Sequence, residues 1–336
     1  MEIEEYINVK KEIYSYLLDF LEMSDDSEND FQELIKLIQK HEILKSQIKV
    51  IELYQQIAKI LDNHHLTDYF INQIKRILQY IKTYIETQIY NNQVFDICGD
   101  SKRVLYIFFE MGIITADETI MHSILKYSFP DGVKYRHFLY KLIKPFIGKR
   151  KRKRIEFEIN QLYKIDIEEF ENKCQKGEND SYICELIRQD SVEDFIAHVN
   201  RYNIPINGQI NYSIFESNSF LINKTPTLIE YASFFGSIQI FQYLEKMNAE
   251  LQPSLWFYSI HGENPELIHL LEENKIYPSE ESCDEILEES IKCHHNNFAQ
   301  YIIDNFINKN DSNQKYYSCI IESCNYSFYP EDITSI

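Results

Sequence analysis

Glycine and proline are scarce in this chain, with eight of each among 336 residues and neither before Gly99. Strand-rich folds need frequent tight turns, and closely spaced glycines are needed to cradle a phosphate group. The motifs GxSxG, HExxH, GxxxxGK[ST] and GxGxxG are all missing. The sequence therefore predicts no cofactor and no catalysis. An enzyme whose carboxylate and histidine residues come together only in the fold remains an alternative.

Long apolar runs are also lacking. The most apolar stretch, from Val104 to Ile114, is interrupted by Glu110 and is shorter than the ~20 residues that a membrane helix needs. The start, MEIEEYINVK, is acidic and lacks the pattern of a secretory signal. Seven cysteines, an odd number without a CxxC spacing, fit buried reduced thiols. These features predict a cytoplasmic protein without a membrane partner.

Positive charge is the minority sign, since 34 Lys and Arg face 53 Asp and Glu for a net charge of −19. Such a field repels nucleic acid and anionic membranes. The exception is a basic run of six consecutive residues, Lys149, Arg150, Lys151, Arg152, Lys153 and Arg154. It fits a solvated linker, a partner for the chain's own acidic residues, a nuclear-import signal, or a nucleic-acid contact.

Apolar residues in the first third recur at intervals of three and four, which is helical periodicity. Examples are Phe31, Leu34, Ile35 and Ile38, followed by Ile48, Ile51, Tyr54, Ile57 and Leu61. We expect an all-helical N-terminal region over residues 1–176.

An imperfect repeat follows in residues 177–309. When Ala232, Ser259 and Ser290 are aligned, at spacings of 27 and 31, three sets of apolar residues also coincide. These sets are Ile240, Leu267 and Phe298; Phe241, Ile268 and Ala299; and Leu244, Leu271 and Ile302. In an earlier repeat, Phe195, Ile196 and Val199 align with Ile240, Phe241 and Leu244. The pattern predicts about four helix hairpins, with residues 310–336 as a cap or a partial repeat.

Small residues mark where each hairpin closes. Ala232 and Ser233 are small enough for a second helix to cross them closely, and Gly236 makes the turn. Glu263 and His294 occupy the turn position in the next two repeats. We expect helices to start after Thr225 and Asn264, each before a proline, and second helices to end at left-handed asparagines. Those asparagines are Asn203, Asn248, Asn274 and Asn305.

This layout resembles the ankyrin repeat. Thr227, Leu228, Ile229, Glu230, Ala232, Gly236, Ile240, Phe241 and Leu244 take the places of its signature, although Leu228 replaces proline and Glu230 replaces histidine. The stretch TPTLIEYASFFGSIQIFQYL is similar to ankyrin-repeat-like proteins of unknown function that are expanded in trichomonad protozoa. The resemblance implies an ankyrin-type α-solenoid of short hairpins after the helical N-terminal region, and a protein-binding scaffold without catalysis.

The partner surface follows from the same resemblance, because ankyrin-type arrays meet protein partners through the loops between repeats. That mapping selects Lys246, Glu250, Gln252, Lys275 and Tyr277. The insertion at residues 205–224 carries Tyr212, Phe215 and Phe220, which could anchor a partner or fold back onto the array. Trp256, the single tryptophan, is expected to fill the core.

Cys283, Cys293, His294 and His295 suggest a zinc site at first sight. Adjacent histidines on a helix point about 100° apart, so both cannot face one ion without distortion. No second close pair of Cys or His completes a ligand set in the sequence. We therefore expect no metal and place His294 and His295 at a turn between helices.

Overall fold

The structure is a computed structural model, and it describes residues 2–22, 28–65, 67–84, 91–99, 101–125 and 132–306. The predicted cap at residues 310–336 lies outside the described residues, together with Cys319 and Cys324. Over the described ranges the regular structure is helical, and the β pairing there is one antiparallel bridge between Gln209 and Thr227. The all-α prediction is confirmed.

The chain divides into two compact units. The first unit consists of Met1–Asp62, Leu66–Glu178 and Ile214–Ser219, and the second of Asn63–His65, Asn179–Ser213 and Phe220–Ile336. A short segment from each half of the sequence thus belongs to the unit built mainly from the other half.

Eleven α-helices of the first unit fall within the described residues. In chain order they are α1 (Glu2–Glu22), α2 (Glu28–Lys40), α3 (Gln47–Asn63), α4 (Asp68–Tyr84), α5 (Asn91–Cys98), α6 (Lys102–Glu110), α7 (Glu118–Leu125), α8 (Gly132–Phe138), α9 (Tyr140–Ile143), α10 (Lys149–Tyr163) and α11 (Ile167–Lys176). Short 3-10 helices cover Ile43–Lys45 and Lys144–Phe146. The periodic residues of α2 are buried as predicted, but Ile48, in the first turn of α3, is 70% exposed.

The second unit contains eight described helices that follow one another as four pairs. They are α12 (Tyr182–Arg188) with α13 (Val192–Tyr202), α14 (Leu228–Phe234) with α15 (Ile238–Lys246), α16 (Leu255–His261) with α17 (Pro265–Glu273), and α18 (Glu280–Lys292) with α19 (Asn296–Phe306). Each turn within a pair contains one residue at positive φ, namely Asp190, Gly236, Glu263 and His294. The predicted turn positions are confirmed.

The aligned columns of the repeat form the interior of the second unit. Ala232, Ser259 and Ser290 are almost completely inaccessible, because they lie where neighbouring helices meet. Helix α14 packs against α12 and α16, and α16 packs against α18, while α13 packs against α15. The helix pairs therefore stack in chain order.

Several predicted helix boundaries are wrong by one or more residues. Helix α14 begins after Thr227, not after Thr225, because Thr227 and Glu230 form a capping box. Asn264 does cap α17, with Pro265 in the first turn. Asn203 and Asn248 adopt the left-handed conformation, but Lys275 takes it in place of Asn274. Asn305 lies inside α19, where its side chain donates to the Tyr301 carbonyl.

Candidate functional site

Two different features of the structure are candidates for function: exposed residues between the helix pairs, and a group of histidines. Lys246, Glu250, Gln252, Lys275 and Tyr277 are all exposed. They lie at the end of α15 and in the connections that follow α15 and α17. The backbone N–H of Glu250 donates to Asn207 Oδ1 at 2.9 Å, which ties one connection to the start of the 205–224 insertion.

The insertion divides between the two units. Tyr212 is 42% exposed, whereas Phe215 is buried in the core of the first unit, 5.3 Å from the ring of Phe170. Of the two alternatives for Phe215, anchoring a partner is therefore wrong, because the side chain is buried. Phe220 belongs to the second unit, where its ring stacks on Phe234 at 5.6 Å and lies 4.4 Å from His261. Phe220 thus folds back onto the helix pairs.

Two buried cations hold Ile214–Ser219 in the first unit. Lys102 Nζ donates to the carbonyls of Ile214 and Glu216 at 3.0 and 3.3 Å, and Arg103 Nε donates to Ser217 Oγ at 3.3 Å. Burial lowers the pKa of Arg103, against the attraction of nearby carboxylates. The residue stays cationic, because the pKa of an arginine is ordinarily above 12.

The basic run forms the start of α10 and is not a linker. Gly148 is the N-cap, and Lys149, Arg150, Lys151 and Lys153 are exposed. Arg152 donates to the Ile147 carbonyl, and Arg154 pairs with Glu158 at 2.9 Å. Cations at a helix N-terminus oppose the helix dipole, so the run does not stabilise its own helix through that dipole.

Five of the ten histidines in the chain meet in the second unit, and we call them the histidine cluster. They are His64, His65, His261, His294 and His295. His64 Nε2 lies 3.2 Å from His294 Nδ1, and His65 Nε2 lies 2.6 Å from the His261 carbonyl oxygen. His64 and His65 come from Asn63–His65, His261 is the last residue of α16, and His294 and His295 lie in the turn of the fourth helix pair.

One group in this region consists of His64, Glu263 and His295, whose ligand atoms all lie within 4.8 Å of one another. His295 Nε2 pairs with the Glu263 carboxylate, and His295 Nδ1 lies 2.7 Å from the Ile260 carbonyl oxygen. The hydrogen bond from His295 lowers the pKa of Glu263. Burial lowers the pKa of His64 well below its usual value, and the neighbouring histidines act in the same direction.

A second group consists of His261, Glu289 and Cys293. His261 Nε2 lies 3.0 Å from Glu289 Oε1, and Cys293 Sγ lies 3.4 Å from His261 Nδ1. A thiol, an imidazole and a carboxylate in this order resemble a nucleophile with its base and orienting group. However, Cys293 and His261 are almost completely inaccessible, and burial raises the pKa of the thiol far above its usual value. Because a substrate cannot reach a sealed, protonated thiol, the group does not support hydrolysis.

The sequence analysis found no second close Cys or His pair to complete a ligand set with Cys293, His294 and His295. The fold nevertheless brings His64, from 230 positions earlier, to within 3.2 Å of His294. His294 does occupy a turn, as predicted. Only long-range packing could have revealed the group, and the local signal was limited to the two adjacent pairs, His64-His65 and His294-His295.

The first unit contains a pocket of about 290 Å³ lined in part by Tyr6, Lys10 and Glu52. Burial raises the pKa of Tyr6. Burial opposes ionisation of Lys10, but hydrogen bonds to Tyr6 and Glu52 raise its pKa overall. Both shifts move the groups away from neutral pH, whereas a general acid or base works best with a pKa near the operating pH. The pocket therefore lends no support to the enzyme alternative.

The five described cysteines, Cys98, Cys174, Cys184, Cys283 and Cys293, are buried free thiols. Among the described residues, no helix combines the length and the apolar character that crossing a membrane requires. The chain shows no significant similarity to a protein-family model, to a curated protein or to a solved structure.

Proposed function

We propose that the protein is an intracellular scaffold that binds a protein partner through the second unit, acting as an array of ankyrin type. The proposal rests on the contrast, within the repeats, between residues that form the core and residues that stay exposed. Most residues of the aligned columns are buried between stacked helix pairs, while Lys246, Glu250, Gln252, Lys275 and Tyr277 remain exposed between them. Such arrays present rigid extended surfaces to partners.

The ankyrin assignment draws support from the turn geometry as well as from the residues of TPTLIEYASFFGSIQIFQYL. Four helix pairs turn on a left-handed residue at equivalent positions, although only one of these residues is glycine. The similarity to trichomonad ankyrin-repeat-like proteins rests on the same residues and remains part of the proposal. A cytoplasmic location is proposed from the acidic charge and the free thiols.

The decisive experiment is affinity purification of the full chain, followed by identification of the co-purifying protein and measurement of its affinity. A test variant combines Glu250→Lys, Lys275→Glu and Tyr277→Ser. A matched control combines Glu118→Lys, Lys176→Glu and Tyr84→Ser, which change exposed residues of the first unit.

We expect the test variant to lose the partner at unchanged helicity and the control to retain it. Equal binding by the wild-type protein and both variants would reject the proposed surface.

A second candidate function is supported by the basic run, as a regulatory protein that enters the nucleus or binds nucleic acid. Lys149, Arg150, Lys151 and Lys153 are exposed on the first turns of α10, so they are available to an anionic partner. Retention of the full chain on heparin and on DNA would be compared with an Arg150→Gln, Lys151→Gln, Lys153→Gln variant. Retention that does not change in the variant would eliminate this function.

A further inference from the structure

The histidine cluster brings together metal-ligating side chains that the scaffold function does not require. His64, Glu263 and His295 offer two imidazoles and one carboxylate, and their ligand atoms lie within 4.8 Å of one another. In a tetrahedral zinc site with bonds of about 2.0–2.1 Å, neighbouring ligand atoms are separated by about 3.4 Å. Small side-chain movements would therefore be enough to close the three ligands around one ion.

The backbone fixes two of the three ligands. Glu263 is the left-handed residue of the turn between α16 and α17, and His295 directly follows the corresponding turn residue, His294. These are turns of successive helix pairs, and α16 packs against α18. The register of the repeat therefore determines how Glu263 and His295 meet.

A hydrogen bond orients the His295 imidazole as metal-ligating histidines are usually oriented. His295 Nδ1 lies 2.7 Å from the Ile260 carbonyl oxygen, so Nδ1–H donates to that oxygen and Nε2 is the nitrogen that faces Glu263. Without an ion Nε2–H donates to the Glu263 carboxylate, and a metal that binds Nε2 would displace that proton. Such a carbonyl partner fixes the tautomer of a ligating histidine and raises its basicity. The ring of His64 is oriented by the 3.2 Å contact between its Nε2 and His294 Nδ1.

The three candidate ligands differ in their exposure to solvent. His64 is buried against other histidines, and Glu263 has a side chain that is 53% exposed. An ion could thus enter from solvent through Glu263 and reach the buried His64.

We propose that His64, Glu263 and His295 form a binding site for a divalent transition-metal ion of the zinc class. The three protein ligands leave a fourth position for water or for a group of a bound partner. The ion joins Asn63–His65 to the turns of the third and fourth helix pairs, so its binding stabilises the second unit. Two imidazoles are poor ligands for magnesium or calcium, which prefer oxygen.

The test uses the full chain, stripped with a chelator and titrated with Zn²⁺ in competition with a coloured chelator. We expect one ion bound per chain, with binding weakened at least about tenfold by Glu263→Gln and by His295→Gln. The control is His269→Gln, because His269 pairs with Glu273 at 3.2 Å in an exposed site on α17. This control should bind as the wild-type protein does.

Three outcomes would overturn the proposal: no stoichiometric binding, wild-type affinity in both Glu263→Gln and His295→Gln, or equal loss of affinity in the His269→Gln control. Circular dichroism of each variant establishes that it is folded. Zn²⁺ should also raise the Tm of the wild-type protein and of His269→Gln, but not that of Glu263→Gln. A Zn²⁺-induced rise in Tm that persists in Glu263→Gln would count against the site.

Co²⁺ distinguishes this site from the neighbouring group that contains Cys293. At the proposed site, bound Co²⁺ should show no thiolate-to-cobalt charge-transfer band, and Cys293→Ser should leave the spectrum and the affinity unchanged. A charge-transfer band that disappears in Cys293→Ser would place the ion on His261, Glu289 and Cys293 instead, and the proposal would be rejected.

Discussion

Gly236 and Gly262 approach so closely in the second unit that neither residue has room for a side chain. A Cβ on Gly236 would overlap the carbonyl oxygen of Gly262, and a Cβ on Gly262 would lie 2.9 Å from the backbone nitrogen of Gly236. Gly236 also has a φ of +66°, in the left-handed region. The contact between the turns of the second and third helix pairs therefore requires glycine at both positions.

Gly236→Ala should lower the free energy of unfolding by about 2–5 kcal/mol, the sum of left-handed strain and steric overlap with rigid backbone. Gly148→Ala is the control, because Gly148 has a φ of −66° and its Cβ would meet no atom within 4 Å. Urea unfolding measures both effects. A Gly236→Ala variant as stable as the control would show that the two turns do not meet as described.

Leu244→Ala should cost about 2–5 kcal/mol of unfolding free energy, because Leu244 is completely buried in the repeat column that it shares with Leu271 and Ile302. Met247→Ala, three residues further on and 48% exposed, should change stability by less than about 0.5 kcal/mol. Fluorescence of Trp256 provides the signal, since this single tryptophan is completely buried in the second unit. Equal effects of the two substitutions would contradict the register of the repeat.

The sequence was sufficient to predict the repeat register and the turn positions. Both depend on local properties, since small residues must recur where helices cross and a left-handed residue must recur where each pair turns. Burial of Ala232, Ser259 and Ser290 and the positive φ of Glu263 and His294 agree with that reasoning.

The grouping of the candidate metal ligands and the burial of Phe215 in the first unit could not be predicted from the sequence. Both depend on contacts between segments that are distant in the chain. His64 meets His294 across 230 residues, and Lys102 meets Ile214 across 112. Periodicity cannot reveal such pairings. The helix cap, by contrast, depends on nearby residues. Thr225 and Thr227 flank one proline, and either could cap the helix by its position alone. Thr227 is the cap because it forms a capping box with the Glu230 carboxylate.

Lys102→Met should destabilise the first unit by about 2–5 kcal/mol and loosen Ile214–Ser219. The substitution keeps a long apolar stem but removes the donor to the Ile214 and Glu216 carbonyls in a buried setting. Hydrogen exchange at the Ser217 amide, which donates to the Gly177 carbonyl at 3.1 Å, would report the local effect. Exposed Lys176 supplies the control, Lys176→Met, in which neither stability nor exchange should change. Unaltered exchange in Lys102→Met would show that Lys102 does not hold the segment.

His137 should make the first unit less stable as the pH falls below about 6.5. Its side chain is inaccessible, and burial lowers its pKa despite a hydrogen bond to Glu158, with Arg136 acting in the same direction as burial. When the pH falls through 6.5, the usual value, the unfolded chain therefore takes up a proton before the folded chain does. Unfolding then becomes more favourable, by at most about 1.4 kcal/mol per pH unit, until the folded pKa is reached.

In urea unfolding at pH 7.5 and 5.5, His137→Gln should lose less stability between the two pH values than the wild-type protein. Exposed His122→Gln, on α7, should lose as much as the wild-type protein. An undiminished loss in His137→Gln would mean that His137 is already protonated in the folded protein or is not buried.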